Sequence, residues 1–444
     1  MRPSRFIILL YPPIRLLAIV GGLLLGAASV SADEFAVVGA SVLPMTAEGH
    51  TLPDATVIVR DGRIAAVGAR SEVALPAGLK IIDGRGAWLI PGLVDSHIHL
   101  GERSLGLLVA NGVTTARELS GSDDHLRWRE ETKAGTRTGP RLIVFSPLLA
   151  DGPQPASFRI VHDVAEAHRL VQEFARAGYD GIKIYDGLSA EIYAALIAEA
   201  RVQGLRTTGH IPRAVGLTGV LAAGQALEHA EKTVIAECGH ALDATKLPAA
   251  IAAINRSGVW FTPTLAVHEV LGVQGTDAYS AVLARPEMAW VSPSTMTWWN
   301  SLRGSGPVDP GSFGSRFIAL QRGLTLGLAR GGTRLLAGTD APNPGMVAGF
   351  SLHDEIEALA RAGLSNYAAL AAATTAPAEY LGETGRSGVI AAGARADFVL
   401  VRGDPLADLR NLREPLGVAL AGRWLDRAAL DNLLAAARPK PAAK

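Results

Sequence analysis

The sequence predicts a (β/α)8 barrel of the TIM type, accompanied by a small β-sandwich domain built from both ends of the chain. Three observations lead there. Eight strand-like apolar runs alternate with amphipathic helical stretches over about 250 residues. Short strands joined by turns precede and follow that stretch. The 444-residue chain is 48% hydrophobic but only 5% aromatic, with 49 glycines, a balance that suits tightly packed α/β layers.

The elements follow in chain order. Residues 1–32 stand apart: Arg2, Arg5 and Arg15 are basic, Leu16–Ala28 is apolar, and Val30-Ser31-Ala32 offers small residues at a cleavage spacing. This pattern predicts a signal peptide cut after Ala32 and export to the periplasm or medium. A retained anchor is the alternative, although a spanning helix needs about 20 residues. Residues 33–87 read as short strands, with Asp61-Gly62 as a hairpin turn. They form the first part of the β domain, and residues 381–434 form the second. Residues 88–380 form the barrel. Its strands are "GLVDSHIHL", "TTAREL", "RLIVFSP", "GIKIYD", "RTTGHIP", "ALEHAEK", "VWFTPTLAV" and "RLLAGTDAP". Helical patterns separate them, as at Val164–Ala177 and Ala190–Gln203. Residues 270–312, carrying Trp290, Trp298 and Trp299, interrupt the alternation and are a candidate lid. A surface insertion or a contact between copies is the other reading. Residues 435–444 read as a disordered tail.

Composition narrows the function. The formal net charge is zero, which gives no reason to expect nucleic acid or an anionic membrane as partner. With the signal removed, no stable membrane association is expected, and a homo-oligomer is left open. Cys238 is the single cysteine, so export brings no internal disulfide. Nothing adjacent suggests a nucleophile, and it reads as a small buried filler.

Polar residues then appear where core is expected. Alternation along a strand points Asp95, His97 and His99 the same way, which in a barrel is inward, near the strand end where active sites are built. Lys183 sits between Ile182 and Ile184, His210 ends "TTGH", His229 lies in "LEHAE", and Asp340 in "LAGTDAP". Each alone has a plain reading: a hydrogen-bonded core histidine, a snorkelling lysine, a turn aspartate. Together they occupy the ends of strands one, four, five, six and eight and converge on one mouth. A metal site becomes the default, and imidazoles with a carboxylate suit zinc. Burial lowers a lysine pKa, and the neutral amine can add carbon dioxide to give an anionic carbamate ligand. A Schiff-base role for Lys183 is the alternative.

These motifs, with "NGVTTARELSG", "TPTLAV" and the closing "GVIAAGARADFVLVRGDPLADL", resemble the amidohydrolase superfamily over nearly the whole mature chain. The order His-X-His, Lys, His, His, Asp matches its binuclear members, among them Xaa-Pro dipeptidases, acyl-amino-acid carboxypeptidases and imidazolonepropionase-like enzymes. The resemblance implies two divalent ions, zinc expected. His97, His99 and Asp340 would bind the more buried ion, and His210 and His229 the more exposed one. N6-carboxylated Lys183 would bridge them. It implies hydrolysis of an amide bond in a small molecule, a dipeptide or N-acyl amino acid, by a hydroxide held between the metals. Asp340 would be the catalytic proton shuttle. A lactone, ester or phosphotriester hydrolase on the same site is the alternative. Tyr185, Arg117, Arg213 and His353 are the candidates for substrate contact. The plain alternatives are packing for Tyr185, pairing of Arg117 with Glu118 or Glu102, and a surface place for His353. The last lies early in a helix whose start, Ser351-Leu-His-Asp354, has capping-box-like spacing.

Overall fold

The computed structural model describes residues 33–152, 158–304 and 313–439. The expected signal peptide, residues 305–312 of the candidate lid and the last five residues of the expected tail lie outside the described residues. Among those described, no helix is long and apolar enough to cross a membrane.

A parallel sheet curls into the barrel. Its strands are Leu93–Ile98, Val113–Glu118, Arg141–Ala150, Gly181–Ile184, Arg206–Gly209, Ala226–Glu228 and Phe261–Thr262, paired in that order. The segment 335–341 closes the ring. It bridges Phe261 to Leu335 on one side and Ile98 to Ala341 on the other, with Leu336 N donating to Phe261 O and Ser96 N to Ala337 O. All eight predicted strands are therefore present in order. The helices form where apolar residues recur at helical spacing. In Val164–Ala177 the residues Ala167, Leu170, Val171 and Phe174 make the buried face. Asp163 caps that helix by accepting from Glu166 N, and Gly178, at φ 88°, ends it in the left-handed region where glycine has no Cβ to clash.

The smaller domain is one mixed sheet of eight strands from both chain ends. Phe35 lies 5.8 Å from Trp424 between ring centroids, although three strands separate their strands along the sheet. The sheet therefore curls over its own apolar core. At its hairpin, Asp61 and Gly62 both take positive φ, 50° and 72°, as a two-residue type I′ turn requires.

Three boundaries move. Trp88–Pro91 pairs with Phe398–Val401 and with Phe35–Val42, so the first β portion runs past residue 87. The helix Arg427–Ala437 packs on the barrel helix Ser104–Ala110, so the chain returns to the barrel after the sheet. Residues 435–437 lie in that helix and not in a tail, because Leu430 and Ala437 are buried there.

The 270–312 excursion is helical where described, with helices Asp277–Leu283 and Pro293–Ser301. It packs against the turn after Asp340: a Cβ on Gly345 would meet Val270 and Val282 at 2.7 and 2.9 Å. Trp299 is buried, and Trp290 donates to Leu434 O. These two indoles pack the excursion down, while Trp298 is exposed. Cys238 is free and buried.

Candidate metal centre

The predicted polar residues meet at the C-terminal ends of the barrel strands. Four imidazoles follow one another across the mouth. Ring centroids are 5.4 Å apart for His99 and His97, 4.4 Å for His97 and His229, and 5.1 Å for His229 and His210. Asp340 faces three of them: Oδ1 lies 3.0 Å from His99 Nε2 and 3.4 Å from His97 Nε2, and Oδ2 lies 3.8 Å from His229 Nδ1. One ligand atom each from His97, His229 and Asp340 falls within 4.8 Å of the others, a separation that a single ion can span. Lys183 extends from the fourth strand and is 1% exposed.

A surrounding layer fixes the rings. Glu228 Oε2 lies 2.8 Å from His97 Nδ1, and its other oxygen accepts from Arg117 and Thr208. Glu118 accepts from the backbone of Leu100 and Ser120 and lies 3.7 Å from His99 Nδ1. Thr264 Oγ1 is 3.0 Å from His229 Nδ1. Asp186 Oδ2 lies 3.2 Å from both His210 Nδ1 and Lys232 Nζ. Partners of this kind set the orientation and basicity of metal-binding imidazoles. Asp95 accepts from the backbone of His97 and from Thr339, tying the first strand to the closing segment.

The backbone is strained here. His229, Thr264 and Asp340 have φ of 65°, 50° and 55°, a region non-glycine residues avoid at about 1–3 kcal/mol each. For the β-branched Thr264 the conformation is a clear outlier, and it presents the hydroxyl to His229.

The electrostatics of Lys183, Asp340, His210 and His229 fit metal ligation, whereas at His99 burial is outweighed by Asp340 and Glu118, which raise the imidazole to about 9, so ligation would displace its proton. Burial lowers the Lys183 ammonium to about 8, so a neutral amine is accessible near physiological pH. Burial alone would raise the Asp340 carboxyl, but the imidazoles around it, with His97 and His99 beside its Oδ1, outweigh burial and hold the group well below the usual range. Burial keeps His210 and His229 neutral, the first at about 4, the form in which imidazole ligates. His97 Nε2 and Lys183 Nζ are buried without a hydrogen-bond partner among the described residues. Buried polar atoms of this kind normally find partners, and divalent ions would supply them. The residues present therefore fit a metal centre.

The candidate substrate contacts divide. Tyr185 borders the centre, with its ring 4.3 Å from His210. Arg213 is exposed in the turn after His210, at the mouth end. Arg117 is not a substrate contact, since its guanidinium is buried and donates to Ser96 O, Glu228 and Thr262. Its partner is Glu228 and not Glu118 or Glu102. His353 also lies away from the pocket. It is buried beside Asn111, before the second strand and away from the Glu118 end. The capping box does not form there: the helix begins at Phe350 after Gly349, and Ser351 Oγ accepts from Val347 N.

Glu228, Glu118, Thr264, Asp186 and Lys232 escape the sequence reading. The only signal was a polar side chain next to each strand end.

This barrel, with a histidine, lysine and aspartate centre at its mouth, is that of a metal-dependent hydrolase. The sequence profile of the Amidohydrolase family matches residues 88–425, and the chain belongs to that family. A solved structure of Bottromycin amidohydrolase is 28% identical and superposes with a TM-score of 0.74, covering 94% of each chain. A Xaa-Pro dipeptidase with bound methionine in the active site is 17% identical with a TM-score of 0.68, covering 89% of this chain and all of its own. That likeness speaks for the fold alone. An imidazolonepropionase of Cupriavidus necator is 31% identical over 157 residues, 32% of this chain and 37% of its own. The chain spans well under half the length of the first curated relatives it matches.

Proposed function

We propose that this chain is an exported binuclear hydrolase that cleaves the amide bond of a dipeptide or an N-acyl amino acid. The reading is carried by one observation. Lys183 Nζ is buried without a hydrogen-bond partner among the described residues, close enough to Glu228, Asp340 and Asp186 and to the imidazoles of His210 and His229 to feel their charge. His97, His99 and Asp340 would hold the more buried ion, His210 and His229 the more exposed one, and Lys183, as its carbamate, would lie between. Bound there, the ions supply carbonyl polarisation and a water acidic enough to attack at neutral pH.

The remaining work falls to the chain. Asp340, held ionised, accepts a proton from the attacking water and delivers it to the leaving nitrogen. Glu228, Glu118 and Thr264 keep the imidazoles aimed. Tyr185 walls the pocket beside His210. Arg213 makes no hydrogen bond or ion pair among the described residues and stands three residues beyond His210, so its fork is free for a substrate carboxylate.

Activity measured on dipeptide and N-acyl amino acid libraries, beside lactone, ester and phosphotriester panels, tests the reading. Turnover confined to amides bearing a free carboxylate is expected, with Arg213→Ala raising KM more than it lowers kcat. Preferential turnover of lactones or phosphotriesters would replace the proposed bond.

A further inference from the structure

At the other end of the barrel lies a cleft of about 1310 Å³ between the barrel and the small sheet. Its walls include Arg141, which begins the third strand, and Asp180, which precedes the fourth. It is therefore remote from the mouth. The lining carries eight arginine and lysine side chains and three carboxylates, in a chain whose formal net charge is zero.

Most of these cations are already paired. Arg141 forks onto Glu383 with two bonds of 2.7 Å. Arg395 binds Asp397, Arg137 binds Glu131 and Glu102, and Arg129 and Lys133 meet Asp180 and Glu130. Three are different. Arg63 donates to Gly393 O, Arg386 to Gly382 O, and Arg423 to Thr138 Oγ1. None of the three has a carboxylate partner among the described residues. Neutral acceptors thus orient three guanidinium groups and leave their charge uncompensated. Each group has five N–H donors, so most remain available. Two of the three come from hairpins of the small sheet, and Arg386 follows helix Thr375–Tyr380.

We infer that this cleft is a second binding site, for an anion carrying two phosphate groups. Guanidinium forks match phosphate oxygens in pairs. A phosphate monoester carries about −1.5 to −2 at neutral pH, so two of them offset three free guanidinium charges. A single phosphate leaves one or more uncovered. The same chemistry is offered by a soluble bisphosphate or by a phosphorylated lipid headgroup. An anion seated there touches both domains and braces their junction.

Calorimetric titration of the metal-loaded full chain with fructose 1,6-bisphosphate, beside fructose 6-phosphate, tests the site. Vesicles containing phosphatidylinositol 4,5-bisphosphate, whose headgroup bears two phosphate monoesters, form a parallel cosedimentation arm. The soluble bisphosphate, or the bisphosphate lipid vesicles, should bind, with the monophosphate about tenfold weaker or worse. Binding in the soluble arm assigns a soluble ligand, and binding only to vesicles assigns a headgroup. The R63Q/R386Q/R423Q variant should lose binding in the active arm. A variant with the same charge change elsewhere, R169Q/R256Q/R330Q, should retain it. Thermal unfolding of both variants checks that they are folded, and R63K/R386K/R423K, which keeps charge without the fork, should bind with intermediate strength. Absence of binding in both arms, or equal loss in the two glutamine variants, would overturn the proposal.

Discussion

The two ends of the barrel handle charge in opposite ways. At the mouth, Lys183 and the imidazoles of His97, His210 and His229 are withdrawn from water, Asp340 is half-buried among them, and the backbone is strained at three positions. At the far end, arginines pair with carboxylates in partial contact with solvent, as Arg141 does with Glu383 at 29% and 19% side-chain exposure. Buried groups shift their protonation and lose heavily when a partner is removed, whereas exposed pairs lose little. A catalytic centre needs the first condition, and a docking surface can be built from the second.

The contrast is broken most sharply at Asp340. Asp340→Asn should lower kcat by about 10²–10⁴, the worth of a positioned acid–base group, while metal content by elemental analysis stays near wild type. Unchanged turnover would remove the shuttle. Glu228→Gln comes next. It weakens the hold on His97 and should cut metal affinity about 10–100-fold. It also leaves the buried Arg117 charge without its counterion, at up to about 3–5 kcal/mol of stability, read by denaturant unfolding. A variant with wild-type stability would mean that Arg117 finds compensation elsewhere.

A pH effect follows from His353. Burial lowers this imidazole from 6.5 to about 4. Below 6.5 the unfolded chain binds a proton that the folded chain refuses, so stability is complete above that value and falls as the pH drops toward 4. The buried His210 and His229 and the half-buried His268 act in the same direction. His353→Gln should therefore flatten, without abolishing, the loss of Tm between pH 6.5 and 5, and an unaltered slope would contradict the burial. The smallest effect belongs to the far end, where Arg141→Ala should cost about 1 kcal/mol. A cost as large as that of Glu228→Gln would erase the distinction between the ends.

The sequence made the proposed ligands legible because a histidine, lysine or aspartate inside an apolar strand breaks a simple pattern. All eight strands and the helix Val164–Ala177 could be read for the same reason: their periodicity is clean. Glu228 stayed hidden because alternation would send it to the face opposite His229. The strand ends at Glu228, and His229 turns into the left-handed region, so both side chains reach the interior. Thr264 is a similar case, since nothing in "TPTL" announces a positive φ. Arg117 and His353 misled because residue type suggested a substrate contact, while three-dimensional partners distant in sequence, Glu228 and Asn111, decided their places. The far-end cleft was illegible because its three free arginines are scattered across the chain and meet only through the return of the C-terminal segment.

Lys183 is proposed to complete a two-ion cage. Elemental analysis of protein purified without chelators, combined with a crystal structure of the same sample, tests it most directly. Two divalent ions per chain are expected, with additional density, continuous with Lys183 Nζ, lying between them. A bare amine with one ion or none, or a lysine bonded to a substrate carbon, would contradict it.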